Sequence, residues 1–262
     1  MQPMLNIAVR AARRAGDLIV RGQQRGHELD VQVKQRNEFV TDIDRAAEQE
    51  IVAIIRGFHP DHAFLGEEGG ASGSSDFVWV IDPLDGTTNF IHGFPQFAVS
   101  LALKVRGRVE VGVVYDPLRQ ELFTALRGSG AQLDGRRLRV SERRELEDSL
   151  IGTGFPYREA ERLDAYLQMF RAVTLRCRGL RRAGAAALDL AYVAAARFDG
   201  FWEFGLKEWD MAAGCLLITE AGGMVTDLYG GARHVETGDV AAGNPRIHAA
   251  LLREVGRFVP QA

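Results

Sequence analysis

Between Trp79 and Asn89 the chain reads Trp-Val-Ile-Asp-Pro-Leu-Asp-Gly-Thr-Thr-Asn. Asp82 and Asp85 stand three residues apart around Pro83 and Leu84, and Gly86-Thr87-Thr88 follows at once. Two anions held this close repel each other unless a cation lies between them. Two carboxylates, with the Leu84 carbonyl as a third oxygen donor, suit a hard cation such as magnesium. A helix beginning at Gly86-Thr87 would aim free N–H groups and the positive end of its dipole at an anion. Gly86 would let that anion approach the backbone closely. A cation and a phosphate can therefore meet at this turn. The same residues equally describe a strand end, an Asx turn and a capped helix with no chemistry, so the run alone leaves both possibilities open.

The neighbouring elements decide what reaches that turn. Phe77 to Ile81 is an apolar run of strand length that delivers Asp82, and Pro83 is expected to end the ladder. Upstream, His62 to Leu65 reads as a short strand closing at Gly66-Glu67-Glu68, and the Gly- and Ser-rich stretch 69–76 reads as a mobile surface loop. Downstream, Phe198 to Phe204 reads as a strand, and 208–221 as a helix opened by Trp209-Asp210 and closed by Gly222-Gly223. Taken singly, Glu67 is a solvated loop charge and Asp210 a helix cap.

The rest of the chain completes a scaffold. Residues 4–22 and 42–57 show helical apolar spacing, the latter capped by Thr41 or Asp42, with a strand or extended loop at Leu29, Val31 and Val33 leading to Lys34. Segments 97–105, 109–116 and 121–126 read as strands whose short connections favour antiparallel pairing. Helices are expected at 160–175, at 184–197 (entered through Gly184) and from about 245, with a short strand near 239–242. This order predicts an α+β protein with layered helices and sheets, not a single doubly wound parallel sheet. No linker divides residues 1–262, so a single domain is expected.

Composition narrows the class of function. Of 262 residues, 46% are hydrophobic and 26% charged, and the net charge of -3 balances 32 basic against 35 acidic residues. Such balance gives no global reason to expect nucleic acid or a membrane as partner. Cys177 and Cys215 are far apart, which argues against a disulfide framework or a structural zinc site and for two buried free thiols. No apolar run reaches the roughly 18 residues of a membrane span. Arg10, Arg13, Arg14 and Asp17 interrupt any signal-peptide core, and a cytoplasmic protein is expected. His59, His62, His92, His234 and His248 lack ligand spacing and read as surface or capping residues, while Ser141 and Ser149 lack a nucleophile-elbow context. Arg171, Arg176, Arg178, Arg181 and Arg182, and separately Arg136, Arg137, Arg139, Arg143 and Arg144, form basic stretches that read first as solvated faces or a dimer rim, and second as attracting anionic substrate or docking an acidic partner.

Together, Lys34, Val40-Thr41-Asp42-Ile43-Asp44, Gly66-Glu67-Glu68, the run 79–89, Gly184 to Leu190 and Glu203 through Gly223 resemble the inositol monophosphatase family, most closely its bacterial SuhB-type members. The resemblance implies an α-β-α-β-α layered sandwich with two α/β halves sharing one active site, usually a homodimer, and lithium-sensitive hydrolysis dependent on Mg2+, with two or three ions per site. It implies Glu67, Asp82 and the Leu84 carbonyl as ligands of a first metal, and Asp82, Asp85 and Asp210 as ligands of a second. Glu67, Thr87 and Asp44 are implied as the catalytic group, the last two orienting the attacking water. Phosphate would rest on Gly86 and Thr87 beside the metal-holding Glu67, Leu84 and Asp85. Arg181, Gly184, Ala185, Glu203 and Asp210 would face the ring of a small phosphorylated polyol, and Lys34 would lie near the metal-binding loop. Ala185 departs from the serine or threonine of many members, which removes one side-chain hydroxyl from the expected ring contacts. The expected reaction is hydrolysis of myo-inositol 1-phosphate. Rivals on the same scaffold are fructose 1,6-bisphosphatase, histidinol phosphatase and nucleotide 3′-phosphatase, and a rival of another class is a binding role with transcription machinery.

Overall fold

The computed structural model describes residues 1–24, 32–33, 39–40, 42–157 and 159–259. Leu29, Val31, Lys34 and Thr41 lie outside the described residues. The first half of the chain contains helix α1 (Gln2–Gln24), a two-residue ladder of β1 (Gln32–Val33) with β2 (Phe39–Val40), and α2 (Asp42–Phe58). Then come β3 (Ala63–Gly66), β4 (Gly70–Ser72), β5 (Phe77–Asp85), α3 (Thr87–Ile91), β6 (Ala98–Val105), β7 (Arg108–Asp116), β8 (Glu121–Leu126), β9 (Gly130–Leu133) and β10 (Arg136–Arg137). The second half runs β11 (Leu150–Thr153), α4 (Leu163–Thr174), β12 (Gly179–Arg181), α5 (Ala186–Ala194), β13 (Gly200–Glu203), α6 (Glu208–Glu220), β14 (Met224–Thr226), α7 (His234–Thr237), β15 (Val240–Gly243) and α8 (Pro245–Val255).

These elements stack as five layers. The larger sheet has strand order β10-β9-β8-β7-β6-β5-β3-β4 and the smaller one β12-β11-β13-β15-β14. Strand alternation sends Trp79 and Ile81 of β5, with Leu101 and Val113, toward Ala8, Ala12, Ile51 and Ile55 of α1 and α2. Val80, Ala102 and Val114 point the other way, toward Leu188 and Leu190 of α5 and Met211, Leu216 and Leu217 of α6. Phe201 and Ala242 of the smaller sheet close that middle layer from below. Its opposite face carries Ile151, Trp202 and Ala241 against Tyr166 and Met169 of α4 and Ile247 and Leu251 of α8. The result is the expected α-β-α-β-α sandwich. Full burial of a side chain such as Ile51 or Ile55 stabilises by about 2 kcal/mol.

Several local expectations are corrected. Stretch 69–76 is not wholly loop, because Gly70–Ser72 pairs antiparallel with β3 as the edge strand. Pro83 does not end the ladder: β5 continues to Asp85 through an irregularity between Asp82 and Asp85. The Ala-rich helix is shorter than 184–197, and the first helix is longer than 4–22. Strands β9 to β12 were not foreseen. His248 is neither surface nor capping; it is 3% exposed on the inner side of α8, where its Nε2 meets Thr226 Oγ1 at 2.9 Å. Cys177 and Cys215 are free, as expected, but only partly buried. Among the described residues no helix is long and apolar enough to cross a membrane.

Candidate functional site

The site is set by an extra residue in β5. Opposite β6, Asp82 pairs with Ser100 and Asp85 with Ala98, so three steps on β5 match two on β6. A regular strand would send residues three apart to opposite faces, and the one-residue bulge returns both carboxylates to the same face. Proline is tolerated at such a bulge because no ladder hydrogen bond is asked of it. That face looks toward the middle layer, where Ser100 Oγ donates to the carbonyl of Trp209 on α6 (3.2 Å).

Each neighbouring element adds a group. β3 runs parallel to β5 with Gly66 opposite Ile81, and the Glu67 N–H donates to the Ile81 carbonyl (3.1 Å), which sets Glu67 beside Asp82. The Asp82 carboxylate accepts the Leu84 N–H (3.1 Å), and the Asp85 carboxylate accepts the Ala187 N–H at the start of α5 (2.8 Å). The α5 dipole therefore favours the ionised form of Asp85. Asp210 lies in the first turn of α6, where its carboxylate accepts the Lys207 N–H (2.7 Å), so it is both helix cap and site residue. Thr87 Oγ1 stands 3.2 Å from Asp44 Oδ2 and 3.0 Å from the Leu84 carbonyl, so one hydroxyl proton serves two acceptors. Gly86 has φ of +91°, and a Cβ there would lie 2.8 Å from the Gln96 carbonyl, so glycine is required on both counts.

The electrostatics of this group are unfavourable without a cation. Burial holds the Asp82 carboxyl well above the usual range, and the charges of Glu67, Asp85, Asp210 and Asp44 push it further. Burial also raises Asp85, with Asp210 adding to the shift and the Ala187 N–H opposing it. An all-oxygen, mutually repelling donor set of this kind fits a hard divalent cation.

Glu67, Asp82, Leu84, Asp85, Gly86, Thr87, Gly184, Ala185, Glu203 and Asp210 line one cavity of about 400 Å³. Asp44 reaches it through Thr87. Arg181 does not line it. It sits exposed on β12, whereas Arg182 faces the cavity with its guanidinium 5.2 Å from the Phe155 ring centre and 4.9 Å from that of Tyr157. Adjacent residues of an extended segment face opposite ways, so the arginine at the cavity is Arg182 and not the expected Arg181.

Further contacts surround the site, among them those of Glu68, Asp189 and Asn89, which the sequence does not single out as site residues. Asp44, Glu67 and Glu68 each bring a carboxylate oxygen within 4.8 Å of the others, and Glu68 also faces Arg45 at 3.6 Å. Asp189, 1% exposed and without a hydrogen-bond partner for Oδ1, borders the cavity, and burial together with Glu203 and Asp85 raises its pKa while Arg182 opposes the shift. Asn89 Nδ2 lies within hydrogen-bond reach of the Gln96, Ala183 and Gly184 carbonyls, which joins α3 to the loop before α5. Asn89 stood inside the quoted run, and its polarity beside Phe90 was the available hint. Of the basic stretches, Arg136 and Arg137 are exposed on β10, while Arg176 pairs with Glu254 at 3.3 Å.

The chain as a whole is similar to several known proteins. The "Nus factor SuhB" of Pseudomonas aeruginosa is 58% identical over 266 residues, covering 99% of this chain and 98% of that protein. The crystal structure of the extragenic suppressor protein suhB from Bartonella henselae superposes with a TM-score of 0.95 at 46% identity, covering 98% of this chain and all of that one. Inositol monophosphatase from Anabaena superposes with a TM-score of 0.89 at 40% identity, covering 99% and 97% of the two chains. The model of the inositol monophosphatase family matches residues 1–259, and with these likenesses it follows that the chain belongs to the inositol monophosphatase family.

Proposed function

We propose that this protein hydrolyses small phosphomonoesters with the help of Mg2+, and that myo-inositol 1-phosphate is its substrate. The observation that carries the reading is the bulge that turns Asp82 and Asp85 to one face beside Glu67, Asp210 and the Gly86-Thr87 backbone, all at one cavity. Family membership supports a phosphatase, and Mg2+ is the usual metal of that family. Glu67, Asp82 and the Leu84 carbonyl would hold one ion, and Asp82, Asp85 and Asp210 a second, with Glu67 also able to serve a third. When bound, such ions supply positive charge for the phosphate and leaving oxygen and lower the pKa of a bound water.

The chain's own residues do the rest. The Thr87 hydroxyl donates to Asp44, which leaves its lone pairs to accept a hydrogen bond from the attacking water and aim it at phosphorus. The backbone N–H groups of Gly86 and Thr87 hold the phosphate oxygens. Glu203 and the Gly184-Ala185 backbone contact the hydroxyls of the polyol ring. No side chain is required as nucleophile, so phosphorus inverts. The large sheet supplies Glu67, Asp82 and Asp85 while the second half supplies Glu203 and Asp210, consistent with residues 1–262 acting as one domain of two α/β halves. A homodimer in the cytoplasm, with lithium inhibition, completes the reading.

A second reading stands beside the first, because the relative at 58% identity bears the name of a Nus factor. In it, the fold also docks on transcription machinery, with the exposed arginines of β10 as the contact. A phosphate-release panel with Mg2+ tests the first reading: myo-inositol 1-phosphate should be cleaved faster than fructose 1,6-bisphosphate, histidinol phosphate or a nucleotide 3′-phosphate, and Asp85→Asn should abolish turnover. Equal activity of Asp85→Asn overturns it. If cells with Asp85→Asn grow normally while cells without the protein do not, the second reading accounts for the selected role.

A further inference from the structure

Three successive N–H groups fix the loop that carries Glu67. That of Glu67 donates to Ile81 of β5, while those of Glu68 and Gly69 donate to the two carboxylate oxygens of Glu48, at 2.9 and 2.7 Å. Glu48 is 7% exposed and stands on α2 one turn after Asp44. Its carboxylate fills the space that side chains would need at the loop: a Cβ would lie 2.4 Å from a Glu48 oxygen if placed on Gly66 and 2.6 Å if placed on Gly69. The two glycines are therefore moulded around this carboxylate. Hydrogen bonds from N–H to an ionised acceptor are about twice as strong as neutral ones. One helix thus governs two parts of the site, through Asp44 to Thr87 and through Glu48 to the Glu67 loop.

We propose that Glu48 is a positioning residue: by gripping the loop from α2 it sets where the Glu67 carboxylate stands relative to Asp82, and so sets the affinity of the site for its divalent cation. The inference rests on the metal reading above. Without the grip, the loop keeps the Glu67–Ile81 bond, the β3–β4 pairing and the Glu68–Arg45 contact, but the Glu68 and Gly69 N–H groups lose their acceptors and the turn can shift, moving the Glu67 carboxylate relative to Asp82. Residues that orient a metal ligand from behind commonly change metal affinity by about 10–100-fold when removed.

Calorimetric titration of Mg2+ into the metal-free protein, without substrate, tests this. Glu48→Ala should weaken Mg2+ binding by about 10–100-fold. Glu48→Gln, which keeps one acceptor oxygen but turns an NH2 toward the other N–H, should weaken it by less. Phosphatase turnover in both should recover as Mg2+ is raised to saturation. Ile55→Val, on the buried face of the same helix and away from the loop, should lower the melting temperature and leave Mg2+ affinity unchanged. If Glu48→Ala does not fold, Glu48→Gln carries the same readout. Wild-type affinity in the Glu48 variants, or an equal loss in Ile55→Val, overturns the proposal. A wild-type protein that binds no Mg2+ overturns the metal reading itself, and the proposal with it.

Discussion

Replacing Asp44 with asparagine should move activity and metal-free stability in opposite directions. Asp44 is 1% exposed, and one of its carboxylate oxygens lies within 4.8 Å of a Glu67 oxygen. Two unit charges at that separation repel by about 3 kcal/mol at an effective permittivity of 20. Protonation of one acid caps the relief, so Asp44→Asn should stabilise the metal-free protein by roughly 1–3 kcal/mol at pH 8. Against this stands the loss of a negative charge in the first turn of α2, worth about 0.3–1 kcal/mol. Repulsion wins, and the melting temperature in a chelator should rise by roughly 2–4 °C per kcal/mol. Turnover should fall, because an amide is a poorer acceptor for the Thr87 hydroxyl and the attacking water loses its orientation. Removal of acid–base assistance typically costs about 10²–10⁴-fold, or roughly 3–5 kcal/mol of barrier. Melting curves in a chelator and phosphate release with saturating Mg2+ read the two effects on the same preparations. A variant that melts lower than wild type yet keeps its turnover would falsify the reasoning, since Asp44 would then be a structural acceptor alone.

Three further outcomes follow from the geometry. Asp82 and Asp85 have carboxyls raised above the unfolded value, so the folded metal-free protein binds more protons than the unfolded one. Its stability should therefore fall as pH rises from about 4 through the raised range, and because Mg2+ competes with those protons its stabilising effect should be larger at pH 8 than at pH 6, as read by melting temperature. A pH-independent Mg2+ effect contradicts this. Gly86→Ala forces a side chain into φ of +91° and to 2.8 Å from the Gln96 carbonyl, so it should lower stability by about 1–3 kcal/mol in denaturant titration and abolish turnover. Arg162 pairs with Asp239 and Glu159 and lies 3.8 Å over the Phe204 ring, beside the cavity wall of Phe204 to Leu206. Arg162→Ala should therefore destabilise by roughly 3 kcal/mol and raise KM more than it lowers kcat, and an unchanged KM argues against that wall touching substrate.

The long amphipathic helices and the strands β6 to β8 were legible because each carries its own period of apolar residues, and the layers followed from their order. Strands β9 to β12 have two to four residues each and too little alternation to announce themselves; they exist because partners such as β8 and β13 present open edges. Pro83 misled for a related reason: its local rule is to end a ladder, and only the pairing of Asp82 with Ser100 and of Asp85 with Ala98 reveals the bulge that tolerates it. In the site, Asp82, Asp85 and Thr87 announced themselves by spacing within one run. Glu48, Asp189 and Arg182 did not, because each acts through distant elements: Glu48 with a loop twenty residues on, Asp189 through the charges of Glu203 and Asp85, and Arg182 with Phe155 and Tyr157. That Arg182 lines the cavity and Arg181 does not shows the limit most clearly, because the direction of a side chain at a short edge strand depends on a register that neighbouring residues do not specify.

The central claim, that the bulge at Asp82 and Asp85 organises a cation site for phosphate chemistry, is tested most directly by anomalous diffraction from a crystal soaked with Mn2+ and inorganic phosphate. The account predicts Mn2+ peaks bridging Glu67, Asp82 and Asp85, one of them also reached by Asp210, with phosphate resting on the Gly86-Thr87 N–H groups. Peaks confined to other acidic residues, with none at Asp82, would contradict it.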